Sequence, residues 1–205
     1  MDTVTGIEEQ KRRSGRVNVF LSGSFAFSLE RGVVLEHGLS TGQTLTQAQM
    51  DELLRADGVE KCLKAALRLL SYRPRSVLEM RERLCRKYAR ETVDAVLLQL
   101  EERNYVDDVA FAQFWRESRE SFNPRSRRML TAELRRKGIR MDVVSDVLEG
   151  IDDEESAYNA AKKCRRGTEE DYEKFRNKLA AFLGRRGFDY DVIKATVERL
   201  WQERG

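Results

Sequence analysis

Asp107 and Asp108 are adjacent carboxylates, a pair that can hold a metal ion or exchange a proton with a substrate. No histidine or third carboxylate stands at ligand spacing from them. They directly precede an apolar helical stretch, so capping a helix N-terminus is the better account. The sole histidine, His37, has no Cys or Ser in a recognisable triad or zinc arrangement. Cys62, Cys85 and Cys164 are odd in number, far apart and without CxxC spacing. They read as free thiols of a reducing compartment, not as a disulfide framework or zinc site. No Gly-rich phosphate loop occurs, so the chain is expected to bind no ATP, cofactor or metal. No catalytic constellation stands out, and the chain is read as a binding protein rather than an enzyme.

Charge is the chemistry that remains. The net charge of +3 hides an asymmetry. Residues 1–70 carry nine Lys/Arg against nine Asp/Glu, residues 71–140 seventeen against eleven (+6), and residues 141–205 twelve against fifteen (−3). Arg116, Arg119, Arg125, Arg127, Arg128, Arg135, Arg136, Lys137 and Arg140 form the candidate partner-binding cluster. Arg125 and Arg128, three apart, and Arg128 and Arg135, seven apart, can share a helical face. Arginine pairs bidentately with phosphate or carboxylate, so DNA phosphates and acidic protein side chains are both open as targets. The competing account is a solvated face neutralised by Glu117, Glu120 and Glu133. Phe111, Phe114 and Trp115 follow the i, i+3, i+4 spacing of a core face and are read as core, not as base-stacking residues. Phe122, beside the Asn123-Pro124 break, is the aromatic expected to be exposed.

The elements that position these residues recur. Leu84-Cys85-Arg86-Lys87-Tyr88, Leu134-Arg135-Arg136-Lys137-Gly138 and Leu183-Gly184-Arg185-Arg186-Gly187 lie at intervals of fifty and forty-nine residues. In each copy apolar anchors follow about nine and thirteen positions later. A period of this size marks tandem supersecondary units that bury a core only by stacking. Capping signals fall at Thr46 with Gln49, Ser76 with Glu79, Asp107, Ser126, Asp142, Asp152 with Glu155, and Asp189. Gly138 and Gly187 serve as helix stops. Nine helices in three units are expected, behind a linking helix. Upstream, Val17, Val19 and Leu21, then Ser22-Gly23-Ser24, then Phe25, Phe27 and Leu29 alternate as a β-hairpin. Val33-Val34-Leu35, after an Arg31-Gly32 turn, reads as a third strand. The expected division is a flexible tail over 1–15, a β element with linking helix over 16–58, and three-helix repeats over 59–106, 107–151 and 152–205. The fold class is mainly α, elongated, with a small N-terminal antiparallel β element. No apolar run reaches the length of a membrane span, and a cytoplasmic monomer is expected.

Several segments resemble one family. Glu102-Arg103-Asn104-Tyr105-Val106-Asp107-Asp108-Val109-Ala110-Phe111-Ala112, followed by Arg119, is similar to the Tyr/Leu-Asp-Asp-x-x-Phe-Ala…Arg signature of the RecX regulatory proteins. Glu133-Leu134-Arg135-Arg136-Lys137-Gly138-Ile139 resembles their Glu-Leu-x-x-Lys-Gly-Ile segment. Arg73-Pro74-Arg75-Ser76 with Glu79 and Leu84, and Arg186-Gly187-Phe188, are similar to the first- and third-repeat signatures. The resemblance covers roughly 60–202, and it implies three tandem helix-turn-helix-like repeats and no enzymatic activity. It also implies binding along the groove of the RecA–single-stranded-DNA filament, with inhibition of RecA recombinase, ATPase and co-protease activity in DNA repair and the SOS response. The basic cluster would then face RecA or DNA, single- or double-stranded. The rival reading is a helix-turn-helix transcription factor that reads duplex DNA directly.

Overall fold

The structure, a computed structural model, describes residues 1–11, 15–164 and 171–203. It divides into two compact units: Met1–Arg73 with Met80–Tyr105, and Pro74–Glu79 with Val106–Gly205.

The first unit opens with an antiparallel sheet. Strands β1 (Asp2–Glu9), β2 (Arg16–Leu21), β3 (Ser24–Glu30) and β4 (Thr44–Leu45) take the order β3-β2-β1-β4. Val17 and Val19 point inward at period two and join Val4, Leu29, Leu45 and Leu53 in the core. Ser22 and Gly23 both have positive φ (49° and 84°), the backbone that a two-residue type I′ hairpin turn demands.

Three expectations change here. Asp2–Glu9, expected as part of a flexible tail, is a full strand. A register shift between Val4 and Gly6 breaks its alternation, which hides the period-two signal. Val33-Val34-Leu35, expected as a strand, lies in helix α1 (Arg31–Glu36). There Val33 is buried in the same core as Leu53, and packing outweighs the β preference of valine. The linking helix and the first helix of repeat 1 are one helix, α2 (Gln47–Leu70), which runs through Gly58. The Thr46–Gln49 capping box opens it with both reciprocal hydrogen bonds.

Buried charges fix α2 to the sheet. Glu30 accepts from Arg16 at 2.9 Å and Lys64 at 2.5 Å, while Asp57 accepts the backbone N–H of Glu30 at 2.7 Å and pairs with Lys61. Helix α3 (Val77–Leu84) begins in the second unit and ends in the first. Helix α4 (Arg90–Glu102) buries Val93, Val96, Leu97 and Leu100, the i, i+3, i+4, i+7 stripe of an amphipathic helix.

The second unit holds α5 (Asp108–Phe122), α6 (Arg127–Arg136) and α7 (Met141–Val147), then α8 (Asp153–Cys164), α9 (Tyr172–Gly184) and α10 (Tyr190–Gln202). The first three close around Phe111, Leu130, Leu134, Ile139, Val144 and Leu148. The last three close around Ala157, Ala161, Phe175, Leu183, Val197 and Leu200. The fold is therefore mainly helical, with three-helix repeats behind a small antiparallel sheet, as the sequence pattern implies. The side chain of Cys164 lies outside the described residues. Among the described residues no helix is long and apolar enough to cross a membrane.

Candidate partner-binding surface of the second repeat

The acidic pair at 107–108 divides its labour between two helices. Asp107 caps its own helix α5, accepting from the N–H of Val109 (2.7 Å) and of Ala110 (3.2 Å). Asp108 accepts from the N–H of Val77 at 3.0 Å and so caps α3 of the preceding repeat. Burial pushes the Asp108 carboxyl above its ordinary range; the Val77 N–H draws it down and the neighbouring Asp107 pushes it up. The arrangement recurs at the next junction: Asp152 caps α8 through the Glu154 N–H (2.8 Å), and Asp153 accepts from the N–H of Arg127 at 2.7 Å. Ser126 caps α6 by accepting from Met129 N–H at 3.2 Å, and Ser76 does the same for Glu79. Asp142 departs from the expected cap, and Asp189 holds the expected position without the capping bond. Helix α7 starts two residues earlier, with Arg140 at the N-cap, so Asp142 lies in the first turn; Asp189 occupies the N-cap of α10 without a side-chain hydrogen bond to the helix, and its carboxylate lies 4.0 Å from Arg128. The Val143 N–H, then the Arg140 guanidinium, hold Asp142 below the usual carboxylate range.

The nine basic candidates separate into two sets. Arg116, Arg119, Arg125 and Lys137 are half-buried and engaged. Glu133, on the same face of α6 as Leu130 and Leu134, is a buried carboxylate. It accepts from Arg119 Nε and from the indole N–H of Trp115, both at 2.8 Å, and from Arg125. The Arg119 guanidinium lies 4.4 Å and the Lys137 ammonium 5.2 Å from the centre of the Trp115 ring. Lys137 also pairs with Glu79, and Arg116 donates to the Val147 carbonyl at the end of α7 (2.7 Å) and to Glu120. These four side chains hold the second unit together.

Arg127, Arg128, Arg135, Arg136 and Arg140 are exposed. Arg140 pairs with Asp142 at 2.6 Å, and Arg128 reaches the Gly187 carbonyl at 3.3 Å. Among the described residues no carboxylate pairs with Arg127, Arg135 or Arg136. Arg128 and Arg135, two turns or roughly 10 Å apart, sit on the side of α6 opposite Leu130, Glu133 and Leu134. Arg127, Arg128, Arg135 and Arg136 thus give α6 a broad exposed arginine surface able to meet phosphate or carboxylate oxygens, and Arg140 follows at the N-cap of α7. Sequence reasoning placed Glu133 among solvated partners and missed its burial. The available signal was its spacing of three residues from Leu130. Phe111 is fully buried and Trp115 packs against the same core, as their spacing predicted, whereas Phe114 is only half-buried and lies outside that cluster; Phe122, beside the Asn123-Pro124 break, is exposed as expected.

Four RecX family models match the chain in order. The regulatory protein RecX N-terminal domain matches residues 2–46; the first, second and third three-helix domains match 62–100, 107–148 and 152–197. A regulatory protein RecX of Clostridium botulinum is 31% identical over 205 residues, covering 97% of the chain and 96% of that protein. The chain belongs to the RecX family. A RecX protein of Listeria welshimeri is 29% identical over 197 residues, covering 94% of the chain and 73% of its own length. A crystal structure of a regulatory protein RecX superposes with a TM-score of 0.71 at 25% identity, over 97% of the chain and all of that structure. RecX from Lactobacillus salivarius shares the fold, with a TM-score of 0.57 over 71% of the chain and 97% of that structure, at 24% identity. The RecX N-terminal domain matches the β element, including the strand that the sequence pattern hid. The exposed arginines of α6 lie inside the second RecX three-helix domain.

Proposed function

We propose that the chain regulates the RecA recombinase by binding, as a cytoplasmic protein without catalytic activity of its own. It occupies the RecA–single-stranded-DNA filament and inhibits its growth, ATP hydrolysis, strand exchange and co-protease activity, and so tunes recombinational repair and the SOS response. Family membership supports the class of partner, and the exposed arginines Arg127, Arg128, Arg135 and Arg136 carry the choice of surface. A filament presents equivalent sites in series, and tandem repeats on one chain present successive strips. Contacts that are weak singly then add through effective concentration. Acidic RecA side chains or filament DNA phosphates both suit these guanidiniums.

The test is RecA's DNA-dependent ATPase and strand exchange with purified protein at stoichiometric amounts. Inhibition is expected, and unchanged rates would sink the reading. The combined Arg127→Gln, Arg135→Gln, Arg136→Gln variant should melt like the parent and inhibit at least about tenfold less well, since a desolvated charged contact contributes on the order of 1–3 kcal/mol. Full inhibition by that variant would assign the α6 surface to solvent.

A further inference from the structure

The first repeat carries a second basic surface, distinct from that of α6. An open groove of about 570 Å³ lies between the last turns of α2 and the turn that joins α3 to α4. Arg68, Arg83, Arg86 and Lys87 line it with Tyr72 and Tyr88, and no carboxylate does. We propose that this groove binds single-stranded nucleic acid, with the four cations on phosphates and Tyr72 stacked on a base.

Of the five cations that line the groove, Lys64 is neutralised by carboxylates, as are the cations just outside it. Lys64 pairs with Glu30 and Glu60, Arg81 with Asp94 at 3.0 Å, and Arg90 with Asp94. That mixing of signs is the pattern of a solvated helical face. Arg68, Arg83, Arg86 and Lys87 are all exposed, and among the described residues none has a carboxylate partner. Four like charges facing one groove repel each other unless an anion joins them.

The aromatics select the kind of anion. Tyr88 forms a fixed floor: its phenol donates to the Lys61 carbonyl at 3.2 Å, and Lys87 lies 5.9 Å from its ring centre. Tyr72 is 70% exposed at the end of α2 and has no ring contact among the described residues. An acidic protein patch would satisfy the cations and leave this ring uncovered. A duplex would hide the base faces that the ring can stack on. A single strand supplies both phosphates and free base faces, and a basic track with aromatic platforms is the arrangement that such strands select.

The experiment uses the full chain without RecA, so its failure is distinct from failure of the regulatory reading. Fluorescence anisotropy follows a labelled oligothymidylate and a matching labelled duplex at low salt. The single strand should bind tighter than the duplex. Arg83→Gln with Arg86→Gln should weaken it about tenfold or more and reduce the log–log salt slope by about 0.7 for each phosphate no longer neutralised. Tyr72→Ala should weaken it about fivefold or more, while Tyr72→Phe, which keeps the ring, should bind like the parent. Absence of binding, preference for duplex, an unaffected Arg83/Arg86 variant, or a Tyr72→Ala protein equal to the parent would each overturn the proposal. An acidic protein partner is indicated instead if the Arg83/Arg86 variant loses RecA inhibition and keeps its oligonucleotide affinity, and that result too overturns it.

Discussion

A side-chain carbon added at Gly138 would stand 2.7 Å from the Cβ of Leu78. Helix α6 therefore ends in a glycine because the start of α3 passes against it. Gly187 repeats the relationship one unit along, where a Cβ would meet Ser126 Oγ at 2.8 Å and Met129 Cβ at 3.1 Å. Both glycines also hold positive φ, 83° and 85°, as helix-terminating residues do. The matching position of the first repeat, four residues after Leu84, is Tyr88, and its ring turns to Lys61 instead. The repeated Leu-basic-Gly pattern is thus a junction signature as well as a helix end, and the first repeat, with no predecessor to pack on, is free of it.

Gly138→Ala tests this with an internal control. Gly150 also has positive φ (73°), and nothing lies within 4 Å of an added Cβ there. Gly150→Ala should cost only the left-handed backbone penalty, about 1–2 kcal/mol. Gly138→Ala adds the clash with Leu78, for a total of about 2–5 kcal/mol. Urea unfolding of the two variants would separate these terms, and equal losses would remove the junction argument.

Glu133→Gln should destabilise without touching the exposed arginine surface. Removing one partner of a fully buried ion pair costs about 3–5 kcal/mol. Arg119 and Arg125 retain 25% and 29% side-chain exposure, so a smaller loss of about 1–3 kcal/mol is expected. Arg119→Gln and Arg125→Gln should likewise lower the melting temperature, while Arg135→Gln should not. Identical melting of all four variants would show that the Glu133 cluster contributes nothing.

The helical repeats were legible because their signals are local. Capping residues such as Ser126 and the stripe Val93, Val96, Leu97, Leu100 each lie within one helix. Strand β1 was not, because its bulge breaks the alternation and its partners lie in β2 and β4. The candidate cluster was legible as composition and not as geometry. Whether Arg119 or Arg135 is free depends on a carboxylate fourteen residues from the first and only two from the second. Glu133 faces inward with Leu130 and Leu134, so it collects Arg119, while Arg135 on the outer face of the same helix has no access to it. The first-repeat groove was missed for the same reason: Arg68 and Tyr72 meet Arg83 and Arg86 only once α2 and α3 have packed.

Asp108 should make the second unit more stable in mild acid. Its folded-state carboxyl is held above the ordinary value of 3.8 by burial first, and by Asp107, against the pull of the Val77 N–H. The ionised form is therefore the one that folding penalises. This group's contribution to stability rises as pH falls through the raised folded value. Asp108→Asn keeps a carbonyl oxygen for the Val77 N–H and has no charge to desolvate. It should melt at or above the parent at pH 7 and lack this acid-side gain. A lower melting temperature at pH 7 would show that negative charge at the start of α3 outweighs its desolvation.

The Glu30–Lys64 pair should have the opposite acid response. Burial raises the Glu30 carboxyl, but hydrogen bonds from Lys64 and Arg16 more than offset it and hold it below the ordinary 4.5. A depressed carboxylate contributes stability above its unfolded value, which is lost as pH falls through the folded one. Lys64 is raised from 10.5, chiefly by its hydrogen bond to Glu30. Its contribution is complete below that value and is lost as pH rises through the raised one. The pair therefore supports the sheet–α2 contact across the whole interval between 4.5 and 10.5. Glu30→Gln should be less stable than the parent within it, and the gap should close as pH drops below about 4.5. Urea midpoints measured from pH 3 to 7 check this. A gap that stays constant across the series would mean that Glu30 acts through shape and hydrogen bonding alone, with no share from its charge.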